Sequence, residues 1–142
     1  MCLYSKQLKP MVATGDIRVW KVLAEDDLTP YTGQHYCHGR NVPQSLVCDI
    51  DRTVLPFCFG KQEVTVVYGG YLHAFRNAYV ASAAAAAISG CRGDGKAYKV
   101  IAMRIPAGAQ YWVGLIDDLA ATELVWDEQA ERAEDYQIPL FD

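Results

Sequence analysis

The segment Gly69–Gly90, GGYLHAFRNAYVASAAAAAISG, gives the strongest indication of the fold. It passes from a glycine pair through an aromatic segment to a run of alanines. Alanine has the highest intrinsic helix propensity, and Asn77 can accept a hydrogen bond from the first helical turn. We therefore predict a helix that begins after Asn77 and is ended by Gly90. Its small side chains would let it lie close against a sheet.

The segments before this helix have the composition of β-strands. Val64–Tyr68 is rich in β-branched residues, and Tyr71–Phe75 alternates aromatic with other side chains. The Gly69–Gly70 pair between them could close a tight hairpin or form a bulge that bends one strand. We favour the bend.

Other strands are predicted from the same period-two alternation. The segment GDIRVWKVL places Ile17, Val19 and Lys21 on one face and Trp20 on the other. From Gln34 to Gly60, short edge strands and turns are expected, because proline is excluded from a central ladder. The remaining predicted strands are AYKVIAMRIP, QYWVG and ATELVW.

These elements predict an α+β protein: a curved, mostly antiparallel sheet of about six short strands with one Ala-rich helix packed on it. We expect a single domain over residues 1–142, with an N-terminal arm (1–10) and an acidic C-terminal tail (127–142). One helix cannot cover both faces of a sheet, so either the sheet curls on itself or a second subunit covers it. The aromatic residues that need burial favour a homo-oligomer: Trp20, Tyr31, Trp112 and Trp126.

Composition excludes several classes of protein. The chain has 142 residues, of which 51% are hydrophobic and 21% charged, and this is typical of a globular protein. The formal net charge is −4 and the basic residues are scattered, which argues against binding to extended nucleic acid. No segment reads as a membrane span or a signal peptide, so we expect a soluble, cytoplasmic protein.

The five cysteines are interpreted as mostly reduced thiols, several of them buried. Cys2 would become N-terminal after removal of Met1 and could act as a nucleophile, but no amide-binding pattern follows it. His35, Cys37 and His38, with Cys48 and Cys58, have the side chains of a zinc site. Only the first ligand pair has suitable spacing, so exposed histidines beside a buried Cys37 are favoured over a metal site.

The best candidate for a binding site is the aromatic segment before the helix. If Tyr71, His73 and Phe75 share one strand face, they form a platform beside Arg76 and the amide groups of the helix N-terminus. Such a platform suits an anionic, planar ligand, for example a nucleotide. The alternative, which we favour, is that the aromatic rings pack in the core while His73 makes one hydrogen bond.

Several motifs together resemble a family of short uncharacterised proteins from bacteriophage and gut bacterial genomes. They are MCLYS, QLKP, GDIRVWKVL with TPY, GGYLHAF and AYKVIAMRIPAGAQYWVG, and they span almost the whole chain. The sequence differs from the family at Ala107, where lysine is usual, and at Ala74, where serine is usual. The resemblance implies a phage or mobile-element setting, in which small accessory proteins often bind host components.

A second resemblance concerns the order of residues in ADP-ribosyltransferase-like folds. In that hypothesis Arg18 or His73, with Phe75 nearby, would position NAD, and Glu123 would stabilise the developing ribosyl cation. The characteristic Ser-Thr-Ser and Glu-x-Glu signatures are absent, and a surface glutamate at a strand start is the alternative that we favour.

The sequence therefore predicts an accessory protein that acts by binding a host protein or a small anionic ligand, with no catalytic residue, cofactor or metal assigned. The second hypothesis is the NAD-dependent enzyme, and a third is a structural or assembly protein.

Overall fold

The computed structural model describes residues 3–30, 32–44, 50–57, 60–93 and 95–127, and in this part the chain is α+β with one helix and eleven strands. The predicted fold class is confirmed, with more strands than the six expected. The elements are β1 (Leu3–Ser5), β2 (Met11–Val12), β3 (Ile17–Ala24), β4 (Arg40–Asn41), β5 (Ile50–Phe57), β6 (Gly60–Val67), β7 (Leu72–Phe75), α1 (Ala78–Arg92), β8 (Tyr98–Ile105), β9 (Gln110–Val113), β10 (Asp118–Ala121) and β11 (Leu124–Trp126).

The strands form two sheets in which neighbours pair antiparallel. The larger sheet has eight strands in the order β2-β9-β10-β7-β3-β8-β11-β4, and the smaller has the order β1-β6-β5. The expectation of edge strands between Gln34 and Gly60 is confirmed, since β4 and β5 each lie at the end of a sheet. Pro56 lies in β5, where an outer strand tolerates its missing N–H.

The alternation of β3 and β8 decides which side chains each face of the large sheet presents. Val19 and Leu23 belong to one buried cluster, whereas Trp20 and Val22 belong to a second cluster packed against α1. The first cluster contains side chains of five neighbouring strands, from β10 to β11. One face of the large sheet thus carries a continuous buried cluster.

Helix α1 begins where the sequence predicts and ends three residues later. The Asn77 side chain caps it by accepting a hydrogen bond from the backbone N–H of Val80 at 2.8 Å. The prediction that Gly90 ends the helix is wrong, because the residue in the left-handed C-cap conformation is Gly93 (φ 58°). Ala81 has no exposed surface and belongs to the cluster that α1 shares with β3 and β8, so the alanine run does pack closely on the sheet.

The Gly69–Gly70 pair is neither a hairpin turn nor a bulge within one strand. β6 belongs to the small sheet and β7 to the large sheet, so the glycines carry the chain from one sheet to the other. Gly70 has a φ of 78°, a conformation that glycine adopts without the steric cost of a Cβ atom. Sequence alternation could not show this, since strands of two sheets have the same period.

The N-terminal arm contains a strand that the sequence did not predict. β1 pairs with β6, and Leu3 is fully buried in a cluster with Tyr71 and Trp112 that joins the two sheets. A three-residue strand is too short for a periodic signal.

Three of the aromatic residues expected to need a second subunit are buried within the single chain: Trp20, Trp112 and Trp126. Their burial therefore does not require an oligomer. Tyr31 and the tail from residue 128 lie outside the described residues. The homo-oligomer stays a prediction.

Candidate functional site

The strand β3 separates from β7 after a single registered pair, and a cavity lies between them. β3 and β8 pair continuously from Ile17 to Ala24. Among the described residues, β3 and β7 are registered at Trp20 and Phe75 alone. The segments that would continue this ladder, Lys21–Val22 and Leu72–Ala74, instead line a cavity of about 430 Å³. This volume lies in the range of small-molecule sites.

Most of the cavity wall is apolar and aromatic. The loop between β3 and β4 contributes Pro30 and Tyr36, the crossing between the sheets contributes Tyr68 and Tyr71, and α1 contributes Ile88. The wall also carries four ionisable side chains with shifted pKa values: Lys21, Tyr36, His73 and Asp118. A site with a few polar groups on an apolar wall has the character of a ligand pocket.

Lys21 is a buried lysine that makes no ion pair with any described residue. Its side chain is on the core-facing side of β3 and the residue is 9% exposed. The Nζ atom donates a hydrogen bond to the backbone carbonyl of His73 at 2.5 Å and lies 5.3 Å from the ring centroid of Tyr36. Burial lowers the pKa of Lys21 from 10.5 to about 8, because desolvation disfavours the charged form. At neutral pH most molecules therefore hold a buried cation without a carboxylate partner.

His73 is half-buried and neutral at pH 7. Burial is the main cause that lowers its pKa from 6.5 to about 4, and the positive charge of Lys21 lowers it further. The Nε2 atom lies 3.3 Å from the carbonyl oxygen of Tyr68. Because a carbonyl can only accept, this contact assigns the proton to Nε2 and leaves Nδ1 as an acceptor.

Asp118 brings a carboxyl group to the cavity wall at the start of β10. The residue is 8% exposed, burial raises its pKa, and its Oδ1 atom has no hydrogen-bond partner among the described residues. Gly114 makes room for this side chain, since a Cβ atom there would lie 1.8 Å from Oδ1. The glycine of the QYWVG motif therefore has a steric role beside the cavity.

Tyr36 has a fully buried hydroxyl group that lacks a hydrogen-bond partner in the described part of the chain. Desolvation raises its pKa well above the ordinary value. A buried polar atom without a partner is costly, and a bound ligand or water is the usual explanation of one beside a cavity.

The structure brings three of the four predicted binding residues to this cavity. Tyr71, His73 and Phe75 line it, whereas Arg76 is exposed and does not. Tyr71 and Phe75 are also buried in two different core clusters, so they serve as core residues and as cavity wall at once. The contribution of α1 is Ile88, near its C-terminal end, and not the amide groups of its N-terminus.

The residues of the NAD hypothesis do not meet at this cavity. Arg18 forms an ion pair with Asp127 at 2.9 Å, and Glu123 forms one with Arg40 at 2.6 Å. Neither Arg18 nor Glu123 lines the cavity, whereas His73 and Phe75 do. The hypothesis stays a prediction without support from this geometry.

The possible metal ligands are also dispersed where they are described. Cys37 is exposed rather than buried as expected, and its thiol donates to the carbonyl of Arg40 at 3.3 Å. His38 stacks on Trp126 with a centroid distance of 4.1 Å. Within the described ranges no three histidine, cysteine or acidic side chains form a group that could hold a metal ion. Cys2, Cys48 and Cys58 lie outside those ranges.

Sequence reasoning missed Lys21, Tyr36 and Asp118. A signal existed for Lys21, because its position in the alternation of GDIRVWKVL placed it on the same face as Ile17 and Val19. A lysine at a core-facing position is uncommon and points to a site. Tyr36 and Asp118 had no such signal, since each lies at the boundary of an irregular segment.

In comparisons with known proteins, no family model, no curated protein and no solved structure matched the chain significantly. The resemblance to a phage and gut-bacterial family therefore stays a prediction. In the part of the chain that the structure describes, no helix is long and apolar enough to cross a membrane.

Proposed function

We propose that this protein binds a small anionic ligand with an aromatic or apolar body in the cavity between β3 and β7. The observation that carries the proposal is the buried ammonium group of Lys21 in the cavity wall, which forms no ion pair with any described residue. A buried cation in a cavity wall supports ligand binding as the proposed function.

A ligand would relieve the cost of burying this charge. An isolated buried ammonium loses its hydration, and one backbone carbonyl replaces only part of it. An anion in the cavity would supply the missing counter-charge and further acceptors for the ammonium hydrogens. The aromatic and aliphatic wall would then bury the rest of the ligand.

The charges of the wall favour a singly charged anion over a polyphosphate. Lys21 is the one lysine or arginine among the described residues that line the cavity, and His73 is neutral at pH 7. The carboxyl group of Asp118 shares the wall, and Arg76 lies outside it. An aromatic or aliphatic carboxylate therefore fits better than a nucleoside triphosphate or NAD.

The test is a thermal-shift and calorimetric screen of the purified protein. The ligands are aromatic carboxylates, nucleoside monophosphates, NAD and ADP-ribose. The variants are Lys21→Met, which removes the buried charge, and Lys61→Met, the same substitution at an exposed lysine. Glu123→Gln is included because the NAD hypothesis assigns catalysis to that residue. A ligand at one hundred times its Kd stabilises the folded state by about 2.7 kcal/mol, which shifts the Tm by several degrees.

We expect an aromatic carboxylate to stabilise the wild-type protein and Lys61→Met equally and to lose its effect on Lys21→Met. Glu123→Gln should bind it normally. No shift with any ligand, or an equal shift in Lys21→Met, would contradict the proposal. Stabilisation by NAD that depends on Glu123 would favour the ADP-ribosyltransferase hypothesis instead.

A further inference from the structure

We propose that Lys21 is also a nucleophile, and that its amine condenses with the carbonyl carbon of an aromatic or apolar 2-oxo acid in the cavity to form an imine. This inference rests on the proposed function, because the carboxylate and the apolar body of such a ligand are those that the cavity is proposed to bind. It adds a reversible covalent bond and names the class of ligand.

The position of Lys21 supports this chemistry. Its backbone is fixed by the continuous ladder between β3 and β8, while its side chain lies on the opened side of β3 in the cavity wall. Its described hydrogen bond is the single one to the carbonyl of His73, and no described carboxylate forms an ion pair with the amine. Two of the three ammonium hydrogens therefore have no described acceptor.

Desolvation also supplies the reactive form of the amine. With a pKa of about 8, about a tenth of the Lys21 side chains are neutral at pH 7, whereas a lysine of ordinary pKa is neutral in well under a thousandth of molecules. The other described lysines are more exposed, and Lys99 is held by Asp27 in an ion pair of 2.5 Å. Selective reaction at Lys21 is therefore expected near neutral pH.

The condensation balances without an oxidant or a reductant. The lone pair of the neutral amine forms a C–N bond to the carbonyl carbon, and the C=O π electrons move to the oxygen, which takes up a proton. The C–O bond then breaks and the oxygen leaves as water. From the ammonium form, the products are one protonated imine and one water molecule. Asp118 and His73 also line the cavity, but the strand register places their side chains on the face of Trp20 and Phe75, so solvent water is assigned the exchange of these protons.

A 2-oxo acid fits this site better than a simple ketone. Its carboxylate lies one bond from the carbonyl carbon, so the protonated imine and the carboxylate form an internal ion pair. The positive charge on the lysine nitrogen thereby gains a counter-charge that none of the described residues provides through an ion pair. The aromatic or aliphatic group of the ligand would contact wall residues such as Tyr71 and Phe75.

The experiment uses phenylpyruvate with sodium cyanoborohydride at pH 7, which reduces an imine to a stable secondary amine. Intact mass and peptide mapping then locate the added mass, which is that of phenylpyruvate less one water plus two hydrogens. Phenyllactate has the same ring and carboxylate without the carbonyl group, and its binding is measured by calorimetry without reductant. The protein variants are Lys21→Met and Lys61→Met.

We expect one adduct on Lys21 that forms at least about tenfold faster than on Lys61, is absent from Lys21→Met and is unchanged in Lys61→Met. Phenyllactate should bind and form no adduct. If phenylpyruvate binds but Lys21 is not modified, or is modified no faster than exposed lysines, the covalent step is overturned and the proposed binding function stands. If neither compound binds and no adduct forms, both proposals are overturned.

Discussion

The two edges of β3 are built in opposite ways. Towards β8 the strand is paired along its whole length, from Ile17 to Ala24. Towards β7 it is registered at Trp20 alone in the described chain, and the side chain of Lys21 bridges to the backbone of His73 where ladder hydrogen bonds would otherwise continue. One strand thus has a closed edge and an open edge.

This difference indicates which edge of β3 can accommodate a ligand. At the closed edge the backbone polar groups satisfy each other, and the side chains on both faces of β3 pack in two buried clusters. At the open edge the Lys21 amine donates a hydrogen bond to the backbone of β7, and the cavity lies where side chains would otherwise pack. The chain tolerates a buried charge there because the closed edge holds β3 in place.

The largest expected effect tests the packing on the two sides. Leu23 and Leu72 belong to the same buried cluster and are 0% and 4% exposed, but only Leu72 lines the cavity. Leu23→Ala would leave a new void, so we expect it to lower the free energy of unfolding by about 3–5 kcal/mol. Leu72→Ala would enlarge a space that already exists, so we expect a smaller cost of about 2 kcal/mol.

Urea denaturation monitored by tryptophan fluorescence measures both values. Each variant serves as the control of the other, because the substitution and the cluster are the same. Equal costs, or a larger cost for Leu72→Ala, would mean that the cavity is closed in solution and that the comparison between the two edges fails.

A second prediction concerns the charge at the open edge. The pKa of Lys21 is 10.5 when unfolded and about 8 when folded, so the folded state binds fewer protons between these values. The wild-type protein therefore carries the full penalty below pH 8 and loses it as the pH rises towards 10.5. The shift corresponds to a penalty of about 3 kcal/mol, which Lys21→Met removes, but the substitution also removes the donor to the His73 carbonyl, which costs about 1 kcal/mol.

Lys21→Met should therefore raise the free energy of unfolding at pH 7 by about 1–2 kcal/mol, and the gain should disappear by about pH 10.5. Denaturation series at several pH values measure the difference from the wild-type protein. Lys61→Met, at an exposed position, should show no such pH dependence. A destabilised Lys21→Met at pH 7 would mean that the ammonium already has a partner, which would remove the basis of the proposed function.

Much of this fold could be predicted from the sequence because its signals are local. The faces of β3 and β8 followed from alternation, and the start of α1 followed from Asn77 and the alanine run. The end of α1 was misplaced because glycine is tolerated within a helix, so Gly90 did not stop it. The division into two sheets could not be predicted, since no local pattern shows which strands pair across the chain.

Part of the candidate site could be predicted because its sequence signal is also local. Tyr71, His73 and Phe75 are neighbours in sequence, so one segment revealed them together. Lys21 and Asp118 reach the cavity from strands on either side of β7, and only the pairing of β3 and β10 with β7 brings them to the same wall. Long-range pairing is the information that alternation lacks.

The smallest expected effect concerns His73 and tests how the open edge is held. In Lys21→Met the pKa of His73 should rise above about 4, because the repelling charge is gone, and it should stay below 6.5 because burial, the larger cause, remains. An NMR titration of the imidazole measures it, with His73→Gln to assign the signal. An unchanged pKa would mean that the charge of Lys21 does not affect the imidazole ring.

A His73 pKa of 6.5 would mean that water has entered the cavity in the variant. In that case the hydrogen bond from Lys21 to the His73 carbonyl holds β3 and β7 together beyond their single registered pair. Separation of the strands would enlarge the cavity and weaken ligand binding in Lys21→Met independently of the lost charge. The titration should therefore accompany any binding measurement on this variant.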